Sequence, residues 1–184
     1  MKRLKRSLRT VLNLEMACTD EMIGIALSLI PYQVTLVPER RMEVTTEGGL
    51  DVGAASNRIK HAIAVLGSAG IRTSLFIDPT PSAVDQSKAV GAHAIELHTG
   101  QYAHTCADPE VRALAAASRQ AAGMGLAVHA GHGLTVGNVG PVAAIPEIEE
   151  LNIGHSIVSR ALFVGLAEAI RELRVAMDMA RASK

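Results

Sequence analysis

Short apolar runs alternate along this chain with longer stretches of helical period. Six runs read as strands: Val11–Ala17, Gln33–Glu39, Arg72–Asp78, Ala94–Gly100, Leu126–Gly133 and Glu150–Val158. Between them, Asp51–Ala69, Pro81–Val90 and Pro109–Gly123 carry Ala-rich patterns with the spacing of amphipathic helices. Thr19-Asp20-Glu21 supplies a helix start, and Gly70 a helix stop. Strands that alternate with helices predict right-handed βαβ units and a parallel sheet. No low-complexity linker interrupts the alternation, so residues 1–184 are expected to form a single domain.

Composition narrows this picture. The chain is 48% hydrophobic but only 2% aromatic, so Ala, Val, Ile, Leu and Met must fill its interior. Such side chains suit strands covered on both faces. A formal net charge of zero argues against a nucleic-acid or membrane surface. Cys18 and Cys106 read as reduced thiols of a cytosolic protein, and no Cys/His spacing of the zinc type is present. The basic start (Lys2, Arg3, Lys5, Arg6, Arg9) precedes Glu15, Asp20 and Glu21, so no signal-peptide core forms behind it. On a helix it is a solvated face. The run Ile23–Ile30 falls far short of the roughly 20 residues of a membrane span. A soluble, cytoplasmic protein is expected.

Polar or special residues punctuate the strand ends: Glu15, Glu39, Asp78, Glu96 with His98 and Thr99, His132, and Gly154-His155. A (β/α) barrel carries its active site on that face, whereas a doubly wound sheet does so only near a switch point. The distribution favours the barrel, an α/β fold of the TIM type. Eight strands and about 250 residues are usual there, so six strands imply a barrel short of two βα units. The segment Ala127-Val128-His129-Ala130-Gly131-His132-Gly133-Leu134 is chemically the densest: an apolar strand runs into a Gly-His-Gly turn. Leu151-Asn152-Ile153-Gly154-His155-Ser156 repeats the device. Glycine lets backbone approach a ligand closely, and N–H groups at a helix start favour phosphate. Binding of an anionic substrate and movement of protons are the chemistry expected.

Several phrases go further. Asn13-Leu14-Glu15-Met16-Ala17, Leu36-Val37-Pro38-Glu39-Arg40-Arg41 and Val44-Thr45-Thr46-Glu47-Gly48-Gly49-Leu50-Asp51 resemble the pyridoxine 5'-phosphate synthases. So do Ser74-Leu75-Phe76-Ile77-Asp78, Ile95-Glu96-Leu97-His98-Thr99-Gly100, Ala130-Gly131-His132-Gly133-Leu134 and Leu151-Asn152-Ile153-Gly154-His155. The resemblance runs in order from about Leu4 to the C-terminus. It implies a (β/α)8 barrel assembled as an octamer. It further implies condensation of 3-amino-2-oxopropyl phosphate with 1-deoxy-D-xylulose 5-phosphate to give pyridoxine 5'-phosphate, phosphate and water, with no metal or organic cofactor. The family opens with an Asn-x-Asp-His strand, an Arg-bearing loop and a His-x-Arg strand, which supply a catalytic histidine and substrate contacts. None of these precedes Met1, which reads as a misplaced start or gene fragment, or as a naturally shortened protein.

The resemblance assigns roles residue by residue. Glu15 is carried over as a general base with a pKa raised by burial, the alternative being a salt-bridged rim carboxylate. Glu96 is expected to face the interior and stabilise charged intermediates; otherwise it is a structural carboxylate paired with Lys or Arg. His132 is the general acid, suited by a charge that switches near neutrality, and its flanking glycines predict an exposed, mobile position. His129 is expected in the core or behind the site. Gly133, Gly154 and His155 match contacts to the amino-ketone phosphate, on what would be strands seven and eight. Thr45 matches a contact to the deoxyxylulose phosphate. Gly48-Gly49 is equally a loop hinge, and Glu39-Arg40-Arg41 is a solvated charge run. The alternative function is a non-catalytic fragment that binds phosphate compounds or associates with other subunits. In either case the turnover of the 184-residue chain is expected to be severely reduced, since an opened barrel exposes the edges of its first and last strands.

Overall fold

The computed structural model describes residues 1–39 and 48–182. The elements run α1 (Lys2–Ser7), β1 (Asn13–Ala17), α2 (Asp20–Leu29), β2 (Gln33–Val37), α3 (Ser56–Ser68), β3 (Arg72–Ile77), α4 (Pro81–Ala89), β4 (Ala94–His98), α5 (Gly100–Thr105), α6 (Asp108–Gly123), β5 (Ala127–Gly131), α7 (Val139–Ala143), β6 (Ile148–Asn152), α8 (His155–Val164) and α9 (Leu166–Ala182). Strand order in the sheet follows chain order, β1-β2-β3-β4-β5-β6. A doubly wound sheet would reverse direction at a switch point. This sheet does not, and the singly wound order is that of a (β/α) barrel. The chain divides into two compact units, Met1–Glu96 and Leu97–Lys184.

In the first unit, β1, β2 and β3 run parallel in unbroken register, Leu14↔Val34↔Thr73, Glu15↔Thr35↔Ser74 and Met16↔Leu36↔Leu75. Side chains alternate along a strand, so this register sorts them into two unlike faces. Leu14, Met16, Val34, Leu36 and Leu75, with the single polar Thr73, form the largely apolar face, all buried, with Ile59, Ala62 and Leu66 of α3 also in the core. Burying each large aliphatic side chain contributes about 1.5–3 kcal/mol. The opposite face carries Asn13, Glu15, Gln33, Thr35, Arg72 and Ser74. Local signals set the helix limits. The Thr19 hydroxyl accepts from the Met22 N–H at 3.2 Å, Thr80 accepts from Ala83 at 3.3 Å with Pro81 behind it, and Gly70 follows α3 at φ +73°.

In the second unit, β5 and β6 are parallel, with a register shift after Val128↔Ile148 that restarts at His129↔Glu150. Leu114, Ala117 and Ala121 of α6, Val139 and Val142 of α7, and Ala169 and Leu173 of α9 supply the core. Helix α8 has no buried residue.

The sequence expectations hold for helices at Pro81 and Pro109 to within a residue or two, while α3 starts at Ser56 rather than Asp51. The sixth strand needs correction: it runs Ile148–Asn152, and His155–Val158 is helical. Glu39 and Asp78 also lie beyond their strands, and Gly100 opens a helix. Among the described residues no helix is long and apolar enough to cross a membrane.

The two thiols differ. Cys18 is buried beside the Arg58 carbonyl at 3.8 Å, whereas Cys106 is exposed. Burial pushes the Cys18 thiol up from its ordinary pKa, which lowers its thiolate fraction at any given pH. Alkylation at neutral pH is expected to label Cys106 first and Cys18 only on unfolding. Peptide mass spectrometry reads this directly, and equal labelling of the native chain would contradict the burial.

Candidate active site

The polar face of the first unit is layered. Asn13, Gln33 and Arg72 share one level, and Glu15, Thr35 and Ser74 the next. Thr35 and Ser74 are fully buried, and Thr35 Oγ1 donates to Asn13 Oδ1 at 3.1 Å. The Ser74 hydroxyl is buried without a hydrogen-bond partner among the described residues. Burial of polar groups in a sheet interior costs free energy unless they are paired, so such a face is tolerated where it serves chemistry. Sequence reasoning missed Thr35 and Ser74, because single polar residues within apolar runs look incidental until the register aligns them with Glu15.

Glu15 departs from expectation. It sits third of five residues in β1, not at its end, and its side chain is exposed. The cause is position: β1 is the first strand in the sheet order, so among the described strands β2 alone pairs with it. Glu96 behaves as expected for an interior carboxylate, 2% exposed in the middle of β4. Gly49 donates its N–H to Asp78 Oδ1 at 2.9 Å, and Leu50 donates to the Phe76 carbonyl at 2.7 Å, pinning this segment against the end of β3. Thr45, with Arg40 and Arg41, lies outside the described residues.

In the second unit the Gly-His-Gly turn is tightly built. His132 has φ +86°. Ile30 and Cys106, the other non-glycine residues with positive φ among the described ones, cap helix C-termini, where that conformation is common. His132 caps nothing, and holding it there costs about 1–3 kcal/mol. Its imidazole is half-buried and lies against His98, ring centroids 5.1 Å apart and planes inclined by 59°. The expected exposed, mobile histidine is therefore a held one. Gly133 follows at φ +77°, and a Cβ there would come within 2.6 Å of the Ala103 Cβ. Only glycine lets this turn pack so close to α5. His129, on β5, is buried, as expected of a core or supporting residue.

The second glycine turn lies beside the first. Gly154 precedes α8, whose start has no side-chain cap, and His155 and Ser156 form its first turn. Orphan N–H groups at a helix start hold partial positive charge and suit an anion. Ser156 Oγ donates to the Leu134 carbonyl at 2.6 Å, tying the helix start to the loop carrying Gly133. Gly133, Gly154 and His155 thus belong to stitched loops. Nothing lies within 4 Å of where a Gly154 Cβ would stand, so this backbone faces open space. Arg160 and Glu172 then pair through two hydrogen bonds of 2.8 Å, bracing α8 against α9. The Arg160 hydrogen bond holds the Glu172 carboxyl below its usual range.

The singly wound β/α sheet, with a carboxylate on the polar face of the first unit and an imidazole beside glycine turns in the second, has the architecture of the barrel class. The sequence profile described as "Pyridoxal phosphate biosynthesis protein PdxJ" matches residues 1–179. Pyridoxine 5'-phosphate synthase of Synechococcus sp. (strain JA-2-3B'a(2-13)) is 54% identical over 180 residues, covering 96% of this chain and 75% of the relative. The protein of that name from Photobacterium profundum is 51% identical over 182 residues, covering 97% and 75%. A crystal structure of 3-hexulose-6-phosphate synthase superposes with a TM-score of 0.62 at 18% identity, over 94% of this chain and 76% of that one, a likeness of fold. The chain belongs to the PdxJ family, enzymes of vitamin B6 biosynthesis.

Proposed function

We propose that this chain condenses 3-amino-2-oxopropyl phosphate with 1-deoxy-D-xylulose 5-phosphate to give pyridoxine 5'-phosphate, phosphate and water. Family membership supports the reaction. The observation that supports this site best is the Ser156–Leu134 hydrogen bond, which ties the loop carrying Gly133 to the start of α8, an arrangement suited to a phosphate. In this reading Gly133, Gly154 and His155 hold the phosphate of the amino ketone, and Thr45 contacts that of the deoxyxylulose. The amine attacks the ketone and water leaves. Glu15 then removes protons, which its exposed carboxylate can do without prior desolvation. Phosphate is expelled, one water adds to the resulting double bond, and ring closure with loss of two further waters yields the pyridine. His132 supplies protons to departing oxygens, and Glu96 stabilises the cationic iminium from within the sheet. Fixing two phosphates so that amine and carbonyl meet accounts for much of the rate.

The same reading places the protein in the cytoplasm as an octamer. Exposed Val158, Leu162 and Phe163 on α8, with Leu166 and Met179 on α9, support association, since large apolar side chains left at the surface favour contact with other subunits. Sedimentation of the purified chain tests it.

Incubating the 184-residue chain with both substrates is expected to give pyridoxine 5'-phosphate, detected by chromatography, and one equivalent of inorganic phosphate per turnover. Substrate binding with no product would overturn the catalytic reading in favour of a non-catalytic phosphate-binding chain.

A further inference from the structure

Thr99 does something a threonine in its place ordinarily would not. It stands at the N-cap of α5, where a threonine hydroxyl usually accepts a hydrogen bond from its own helix. Here it makes no such bond. Its hydroxyl is turned across the chain, donating to the Gly131 carbonyl at 2.7 Å and, bifurcated, to the His132 carbonyl at 2.5 Å. The Thr99 N–H adds a third bond, to the Gly131 carbonyl at 2.9 Å. Thr99 is fully buried, and its bond to the Gly131 carbonyl is shielded from water. The backbone they belong to is the one strained at His132. The residues on either side of Thr99 complete the clamp. His98 presents its ring to His132. At Gly100 a Cβ would stand 2.5 Å from His98 Nε2, so glycine is needed for His98 to occupy this rotamer.

We propose that Thr99 is a positioning residue for His132: its hydroxyl holds the Gly131 and His132 carbonyls, imposes the positive φ and aims the imidazole. The proposal rests on reading His132 as the general acid. Without the hydroxyl the turn is free to relax toward an ordinary backbone conformation, and the imidazole swings from its line on the substrate. A displacement of about 1 Å in such a group costs about 10²-fold in rate.

The test compares Thr99→Val, which keeps shape but loses the hydroxyl, with Thr99→Ser, which keeps the hydroxyl. Thr99→Val is expected to lower kcat about 10²-fold with both KM values unchanged, and Thr99→Ser to restore most of the turnover. The His132 ring resonance, followed by NMR through a pH titration, is expected to move in Thr99→Val and to stay in place in Thr99→Ser. Should Thr99→Val not fold, Thr99→Ala makes the same comparison. Wild-type kcat in the hydroxyl-free variant, or equal losses in Val and Ser variants, would overturn the proposal while leaving His132 as the acid. Full activity in His132→Gln would instead overturn the reading on which it rests.

Discussion

His132→Gln is expected to lower turnover by about 10²- to 10⁴-fold, the usual worth of a positioned general acid. Glutamine is chosen because it keeps a Cβ. The strain at φ +86° is then the same before and after substitution, and the Thr99 bonds to the backbone carbonyls survive. What disappears is the imidazole ring and its contact with His98. Loss of that contact costs about 1 kcal/mol, or about 2–4 °C in Tm for a chain of this size. Activity and stability therefore separate: a near-total loss of product formation, measured by stopped assay, beside a small shift in thermal unfolding. A glutamine variant that loses ten or more degrees in Tm would make His132 a structural residue. One that keeps full turnover would remove it from the chemistry.

Much of this molecule is legible before folding, and the illegible parts share a cause. Five of the six strands are found within two residues of their ends, because alternation of apolar and polar positions follows directly from a pleated strand covered by helices. The sixth is displaced. Glu149 falls at the register shift beside Val128/His129, which hides the start of β6, while Ile157 and Val158 mimic a strand although α8 begins at His155. Chemistry behaves the same way. Glu96, between Ile95 and Leu97, is buried as its neighbours suggest. The exposure of Glu15 depends on which strands flank β1, a property of the sheet order that no local pattern contains. For His132, the flanking glycines suggest freedom, yet Thr99, 33 residues away, removes it. Sequence reports what each residue prefers; restraints imposed from a distance appear only once the strands are side by side.

Gly48-Gly49 shows the point in adjacent residues, and Gly49→Ala is expected to have the largest effect on stability. A Cβ at Gly49 would stand 2.3 Å from the Asp78 backbone nitrogen, 2.4 Å from the Ile77 carbonyl carbon and 2.5 Å from its Cα. These are main-chain atoms at the end of β3, and no rotamer change can clear them. Room could be made only by lifting the segment off the strand, which breaks the Gly49–Asp78 and Leu50–Phe76 hydrogen bonds. Overpacking of this kind costs about 3 kcal/mol, with about 1 kcal/mol more for each hydrogen bond lost. Since 1 kcal/mol corresponds to about 2–4 °C at this chain length, Tm should fall by about 10 °C or more. Gly48→Ala is the control: its Cβ would meet only Asp78 Oδ2, at an ordinary 3.6 Å, and Tm should hardly move. Equal melting temperatures for the two variants would mean that the Gly49 backbone does not lie against β3. A selective fall in Gly49→Ala would identify this glycine as a close-packing contact rather than a hinge, holding the start of α3's leading loop beside Asp78.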